Sequence, residues 1–317
     1  PRMNVADLRT KGWEASITWG DSFTLASKPF NYRVMAGIGD NTSKVTKYDN
    51  PNRTLTDPYE GQQLGEIWGY VVDGYFKTDE EARNYKVDQS FVNQMINASA
   101  LDNGLHAGDL KFVDLDGNNK IEQTTSANDR KDMKVIGNSL PRYNYNFGIS
   151  ADWYGIDFSV LFQGIGKQNW YPGAETSMFW GPYSRPYASF IPSDFMSQVW
   201  SEENTDAYFP RPRGYVALGS NRELAVVNTK YLQNLAYCRL KNLSIGYTLP
   251  DKWLSKIGFE KIRVYFSGEN LLTFTKLHSD YIDPEQASAS NSWKTSKSDA
   301  NIYPWAKTYS FGVDITF

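Results

Sequence analysis

Cysteine and histidine are nearly absent. Cys238 is the only thiol in 317 residues, and His106 and His278 are the only imidazoles. A single cysteine excludes an intrachain disulfide and a thiolate metal site. Two distant histidines without motif neighbours leave no triad and no H-E-x-x-H zinc site. G-x-S-x-G and the phosphate-binding glycine loop are also missing, and Gly37-Ile38-Gly39 and Gly164-Ile165-Gly166 are lone glycine pairs at strand ends. Enzymatic chemistry therefore finds no support. No apolar run reaches the roughly 18 residues of a transmembrane helix. The net charge is −3 without a cluster of Lys and Arg, so nucleic acid is not an expected partner. No signal peptide precedes Pro1, and the chain reads as a processed or truncated piece.

Aromatic residues, by contrast, make up 15% of the chain. Many fall on a period of two. In Thr308 to Phe317, Tyr309, Phe311, Val313, Ile315 and Phe317 alternate with Thr308, Ser310, Gly312, Asp314 and Thr316. A strand sends successive side chains to opposite faces, so one face is apolar and the other polar. Six further segments repeat the pattern: Trp13 to Trp19, Asn31 to Ile38, Tyr143 to Trp153, Ile156 to Gln163, Asn242 to Leu249 and Ile262 to Glu269. The Asn242 segment breaks phase upstream, where Arg239 and Lys241 would join the apolar face. Either they stand above an apolar band, or a bulge near Asn242 resets the register and turns Leu240 outward. A mean hydropathy of −0.55 is compatible with a membrane barrel, half of whose strand residues face a polar lumen.

Short and long connections alternate strictly. The short ones fall at Asp21 to Pro29, Tyr154-Gly155 and Pro250 to Glu260, the last with a helical turn at Asp251 to Lys256. The long ones are about 41–142, 167–235 and 273–303. An up-and-down antiparallel sheet with its long loops at one end gives this result, as in outer-membrane barrels. Trp19, Trp153, Tyr154, Tyr247 and Phe317 would then form the girdle at the short-turn end. Within the loops, Thr78-Asp79-Glu80-Glu81 predicts a capped helix from Asp79 to about Ala98, and Ser193 a cap for a helix from Asp194 to Trp200.

Four stretches carry a family resemblance. They are Ile136 to Gly148 (IGNSLPRYNYNFG), continuing through Asp157 to Gly164 (DFSVLFQG), then Tyr237 to Pro250 (YCRLKNLSIGYTLP), and Val264 to Lys276 (VYFSGENLLTFTK) with Asp283-Pro284-Glu285 after it. In this order, and with the terminal Phe317, they resemble the SusC-like TonB-dependent outer-membrane transporters over nearly the whole chain. The resemblance implies an all-β fold: about seven strands from the C-terminal part of an antiparallel transmembrane barrel of about 22 strands. Residues 1–317 would be barrel wall with long extracellular loops, the plug and early strands being absent. It also implies import of glycan oligomers or peptides across the outer membrane. The implied partners are a SusD-like lipoprotein lid, the TonB complex through a segment outside this chain, the remaining barrel and plug, and outer-membrane lipid. No cofactor is required.

Two sets of site residues stand out. Asp114, Asp116 and Asn118 place oxygen donors at the first, third and fifth positions of an EF-hand-like loop. Asn119 replaces the turn glycine and Thr125 the bidentate glutamate, for which Asp129 would substitute. Calcium and a metal-free Asx turn both account for this pattern. Trp68, Tyr70, Tyr171, Trp180, Tyr183, Tyr187 and Trp293 either contact substrate or partner, or hold the loops together. Polar residues of the other strand face, among them Glu14, Arg33, Asn144, Asn146, Asp152, Arg263 and Glu269, would face the lumen. A soluble or surface-attached β-rich carbohydrate-binding module is the alternative reading, and a glycan-degrading β-enzyme a weaker third.

Overall fold

The computed structural model describes residues 5–93, 104–186, 190–254, 258–287, 297–298 and 303–317. Seven strands form its main sheet: β1 (Ala6–Leu25), β2 (Lys28–Tyr48), β3 (Arg142–Trp153), β4 (Ile156–Lys167), β5 (Tyr237–Thr248), β6 (Lys261–Thr275) and β7 (Thr308–Thr316). Each pairs antiparallel with its neighbour in sequence, so the sheet is a plain meander.

The register turns the alternation of each strand into rows that cross the whole sheet. One apolar row runs Trp19, Val34, Ile149, Val160, Leu243. The next runs Tyr32, Ala151, Phe158, Ile245, Phe266, Phe311. Cross-strand neighbours on one face sit about 4.5–5.5 Å apart at Cβ, so each row is a continuous contact surface. The opposite face carries Ser150, Ser159, Ser244, Ser267 and Ser310 in a single row. There Asp152 accepts from Asn31 Nδ2 at 2.7 Å, and Arg263 reaches Asp157 at 2.8 and 2.6 Å.

β5 resolves its phase conflict with a bulge. Its register shifts between Leu240 and Asn242 against both β4 and β6. Against β4, Lys241 is the extra residue; against β6, Asn270 and Leu271 stand opposite it, Asn270 at φ +53°, so Leu240 lines up with Phe162 and Leu272 while Leu243 lines up with Val160. Both leucines therefore stay on the apolar face, and Arg239 turns to the polar one. A one-residue slip without compensation would have flipped the upper part of the strand.

The short connections lie together at one end. Ala26 and Ser27, at φ +49° and +63°, close β1 onto β2, and Tyr154 and Gly155, at +49° and +86°, close β3 onto β4. Positive φ at both central positions matches the twist of a two-residue hairpin. β5 and β6 are joined through a helical turn at Asp251–Leu254, residues 255–257 lying outside the described residues. The strands run well past their predicted limits, β1 and β2 most of all. Trp19 consequently sits within β1, and Phe23, paired with Phe30, lies nearer the turn.

The loop helices are shorter than predicted. The Thr78 cap forms, with Glu81 N donating to Thr78 Oγ1 at 3.1 Å, but the helix ends at Arg83. Farther on, Gln89 donates to Leu110 O and accepts from Phe112 N. A second helical turn spans Ser90–Asn93, and the predicted remainder lies outside the described residues. At 194–200 the structure has a 3-10 turn, Phe195–Gln198, with Asp194 rather than Ser193 before it.

Close strand packing makes one glycine indispensable. A Cβ on Gly164 would lie 2.1 Å from Tyr237 O and 2.5 Å from the Tyr145 ring. Gly164→Val is expected to break the β4–β5 ladder and lower the protease-resistant fraction by more than half, whereas Gly214→Val, with open space around it, leaves that fraction unchanged.

Candidate functional site: the folded loop cap

The three long loops fold together beyond the far end of the sheet. Tyr70, Tyr75, Leu110 and Phe112 of the first, Trp170, Tyr171, Phe179, Trp180, Tyr183, Phe209 and Tyr231 of the second, and Leu277 and Ile282 of the third share one buried cluster. Aromatic residues bury large areas and pair edge-to-face or offset. Phe179 meets Trp180 edge-on at 4.8 Å, and Phe209 stacks on Phe195 at 4.7 Å. Backbone ladders tie the loops as well: Tyr70 N donates to Val227 O, and Thr229 N to Tyr70 O. His278 brings in the third loop, stacking on Tyr208 with ring centroids 3.4 Å apart and placing Nε2 2.8 Å from Gln198 Oε1. Burial pushes its pKa down, so the ring is held neutral.

Four of the seven aromatic candidates lie inside this core. Tyr171 and Trp180 are fully buried, Tyr183 is 1% exposed and Tyr70 3%. Tyr171 donates to Leu224 O at 2.9 Å, Trp180 Nε1 to Gly173 O at 2.9 Å and Tyr183 to Pro210 O at 2.6 Å. These three rings spend their polar tips on loop backbone and hold the cap together, Tyr70 is buried with its hydroxyl unpaired among the described residues, and direct contact of the four with a ligand is corrected by that burial. Trp68 is half-buried. Tyr187 and Trp293 lie outside the described residues.

The acidic loop gathers a different set from the one expected. Carboxylate oxygens of Asp114, Asp116 and Asp132 lie within 4.8 Å of one another. Asp129 is instead exposed and turned to Lys131, 3.9 Å away. Asn118 Oδ1 accepts from Lys120 N at 2.8 Å. Asp114 accepts from Gly117 N and Asn119 N, both at 2.7 Å, and Asp132 from Leu115 N and Glu122 N at 2.8 and 2.7 Å. Backbone amides thus donate to these oxygens, and the two-residue Asx step is made at Asp116, which accepts from Asn118 N at 3.1 Å, and again at Asn118. Asn119 takes the left-handed conformation, φ +62°, that the missing glycine would have had. Burial, with Asp116 and Asp114 alongside, raises the pKa of Asp132.

Three ion clusters were invisible in the sequence. Asp40, within β2 at the level where β3 begins, takes Arg142 in a two-point pair at 2.5 Å. Arg239, turned inward by the bulge, binds Asp283 at 2.6 Å and Glu285 at 2.7 Å, and Lys241 binds Glu285 at 2.8 Å. Inside the cap, buried Asp109 takes both Arg211 and Arg213, and Arg213 also meets Glu223 at 2.7 Å. Partners far apart in sequence carry no local signal; only the Asp283-Pro284-Glu285 motif marked one of them. Below the cap, Glu14, Asn144 and Asn146 line an open cleft of about 900 Å³ together with Trp13, Ala15 and Ile38.

Removing one member of a buried charge cluster leaves the others unpaired, at a cost of about 3–5 kcal/mol. Arg239→Met is expected to loosen the third loop by that amount, read as faster hydrogen exchange around Leu277 to Ala287. The second expectation concerns pH. Burial pushes the Glu223 carboxyl up to about 7 from an ordinary value of 4.5. The folded cap thus holds a proton that the unfolded chain has released, and its stability falls as pH rises through that window. Limited proteolysis of the cap should quicken from pH 5 to pH 8 in the parent, with the step lost in Glu223→Gln.

No protein-family model matches the chain. It is 26% identical over 334 residues to "TonB-dependent receptor P3" of Formosa agariphila, covering 99% of this chain and 29% of that protein. It is 25% identical over 344 residues to "TonB-dependent receptor P39" of the same organism, covering 100% of this chain and 31% of that one. The chain therefore spans under a third of the length of the curated relatives it matches. Among solved structures, the RagAB peptide importer in its open-open state superposes with a TM-score of 0.65 at 19% identity, over 99% of this chain and 29% of that one. The closed-closed state gives 0.63 at 20% identity, over 99% and 30%. These likenesses run the full length of the sequence and agree with its motifs: the chain is similar to TonB-dependent receptors, and its seven-stranded sheet has the fold of part of the RagAB barrel.

Proposed function

We propose that this chain forms wall and extracellular cap of a TonB-dependent importer in the outer membrane, taking up glycan oligomers or peptides beneath a SusD-like lipoprotein. The observation that carries the reading is the naked apolar face. Ile17 is 67% exposed and Phe311 83%, within apolar rows that each cross six of the seven strands. Soluble proteins rarely expose a contiguous apolar surface of that extent, and hydrocarbon is the medium that matches it. β1 and β7 also leave free edges, and unpaired amides are not tolerated in lipid, so the rest of the barrel pairs with them. TonB acts through a segment outside this chain. The polar face, with its cleft at Asn144 and Asn146, turns to plug and lumen.

The lipoprotein sits on the outer side of the cap. Phe190 packs edge-on against Tyr281, with ring centroids 4.7 Å apart, and both remain exposed with Ile191 and Met196 nearby in sequence. Such apolar residues on an otherwise well-packed cap suit a protein partner. Deleting the second loop would remove the cap core itself, so point changes are the better probe.

Val160→Arg is expected to cost about 2–4 kcal/mol of barrel stability near the bilayer midplane. The receptor should fractionate with outer membranes and need detergent; an unaffected variant, or a parent soluble without detergent, would favour a carbohydrate-binding module instead. Phe190→Ser with Tyr281→Ser should lower co-purification of the lipoprotein about tenfold, the loss of one hot-spot pair. Full co-purification would place the lid elsewhere.

A further inference from the structure

The β1–β2 ladder continues beyond β3, whose pairing with β2 begins at Gly39 and Asn144. On β1, Lys11 and Arg9 follow Trp13 at the two next positions of the same face, the apolar, outward one. Arg9 stands directly opposite Lys44 of β2, and Lys11 opposite Thr42. Like charges directly opposite one another destabilise a sheet. No carboxylate among the described residues lies within 4 Å of Arg9, Lys11 or Lys44. The chain running alongside β2 offers Gln63 to Lys44, and the one acid in the row below, Asp40, is already bound by Arg142. The patch therefore gathers three cations on one outward face, the nearest acid of that face, Asp7, standing one step above Arg9 and opposite Lys47.

Its height is equally specific. At about 3.3 Å per residue and a tilt near 40°, Lys11 lies about 5 Å and Arg9 about 10 Å above the level of Trp13. With Trp13 at the edge of the hydrocarbon, Lys11 lies in the headgroup zone, which extends roughly 5–8 Å beyond it, and the Arg9 backbone stands just above that zone. Long basic side chains reach down along the strand with their charge kept at the interface. Arg and Lys pair strongly with phosphate oxygens.

We propose that Arg9, Lys11 and Lys44 form a binding site for the phosphate of an outer-leaflet glycolipid. The site rests on the outer-membrane reading above and adds to it a specific lipid contact at one point of the wall.

The test uses the full-length receptor extracted from outer membranes in mild detergent. Phosphoglycolipid retained per receptor is measured by mass spectrometry for the parent and for Arg9→Gln/Lys11→Gln/Lys44→Gln. The triple variant should retain at least about tenfold less, as befits three basic groups at a charged surface, and Lys11→Arg/Lys44→Arg should retain the parental amount. Added back to delipidated parent, lipid A should bind, whereas dephosphorylated lipid A should not, and excess inorganic phosphate should fail to displace the lipid. Equal retention by parent and triple variant overturns the site, as does equal binding of dephosphorylated lipid. Displacement by inorganic phosphate would assign the cations to a free anion and overturn the glycolipid. Protease resistance of the cap reports assembly, and the single variants Lys11→Gln and Lys44→Gln, each expected to lose part of the lipid, serve if the triple variant does not assemble. Failure of the membrane reading itself would show separately, as loss of the parent from the outer-membrane fraction.

Discussion

A strand offers two faces and no third, and everything in this molecule follows from keeping those faces in phase. Seven strands in sequential antiparallel register turn a period of two into apolar rows on one side and polar rows on the other. The extra residue at Lys241, answered by one on β6, shows how strict the demand is. It holds Leu240 beside Phe162 and Leu243 beside Val160, and in doing so frees Arg239 to point inward. The same bulge that preserves the wall therefore supplies the anchor for Asp283 and Glu285, so wall and cap are linked by one backbone irregularity.

That constraint also explains what could be read from the sequence. Every strand was legible where its two faces meet different media, as at Ile245 and Ser244 or Phe311 and Ser310. Ala6 to Lys11 and Asn41 to Tyr48 gave no signal because both faces there are largely polar, although the ladder continues through them. The bulge was legible as a phase conflict. The roles of Tyr171, Trp180 and Tyr183 were not, since an aromatic residue in a loop has the same composition whether it is core or contact. Their burial depends on a cluster assembled from three loops. The Asp40–Arg142 and Asp109–Arg213 pairs bridge more than a hundred positions, beyond the reach of any local pattern. The acidic turn was read in outline, but its third carboxylate comes from Asp132, while Asp129 lies exposed to solvent.

The cap combines two kinds of bond with different consequences. Its aromatic rings supply apolar burial, and their hydroxyls and indole N–H groups satisfy loop carbonyls that would otherwise be stranded. Its ion clusters contribute less net stability, because desolvating them is costly, but they tolerate only one arrangement. Rings make the cap cohesive and charges fix its register on the strand tops. A surface held this firmly from within leaves recognition to the residues that remain outside, such as Phe190 and Tyr281.

The two-residue turns at Ala26-Ser27 and Tyr154-Gly155 bear on the order in which the sheet is built. Closing a long flexible connection costs more conformational entropy than closing a short one, by about 0.6 kcal/mol for each doubling of length. β1–β2, β3–β4 and β5–β6 are therefore the local closures, and the contacts between them must wait for connections that span residues 49–141 and 168–236. Because those connections collapse onto one shared aromatic core, they bring the hairpins together as they fold. Assembly by this route adds strands to the wall in pairs, with the cap acting as the clasp that shortens the distance each pair must search.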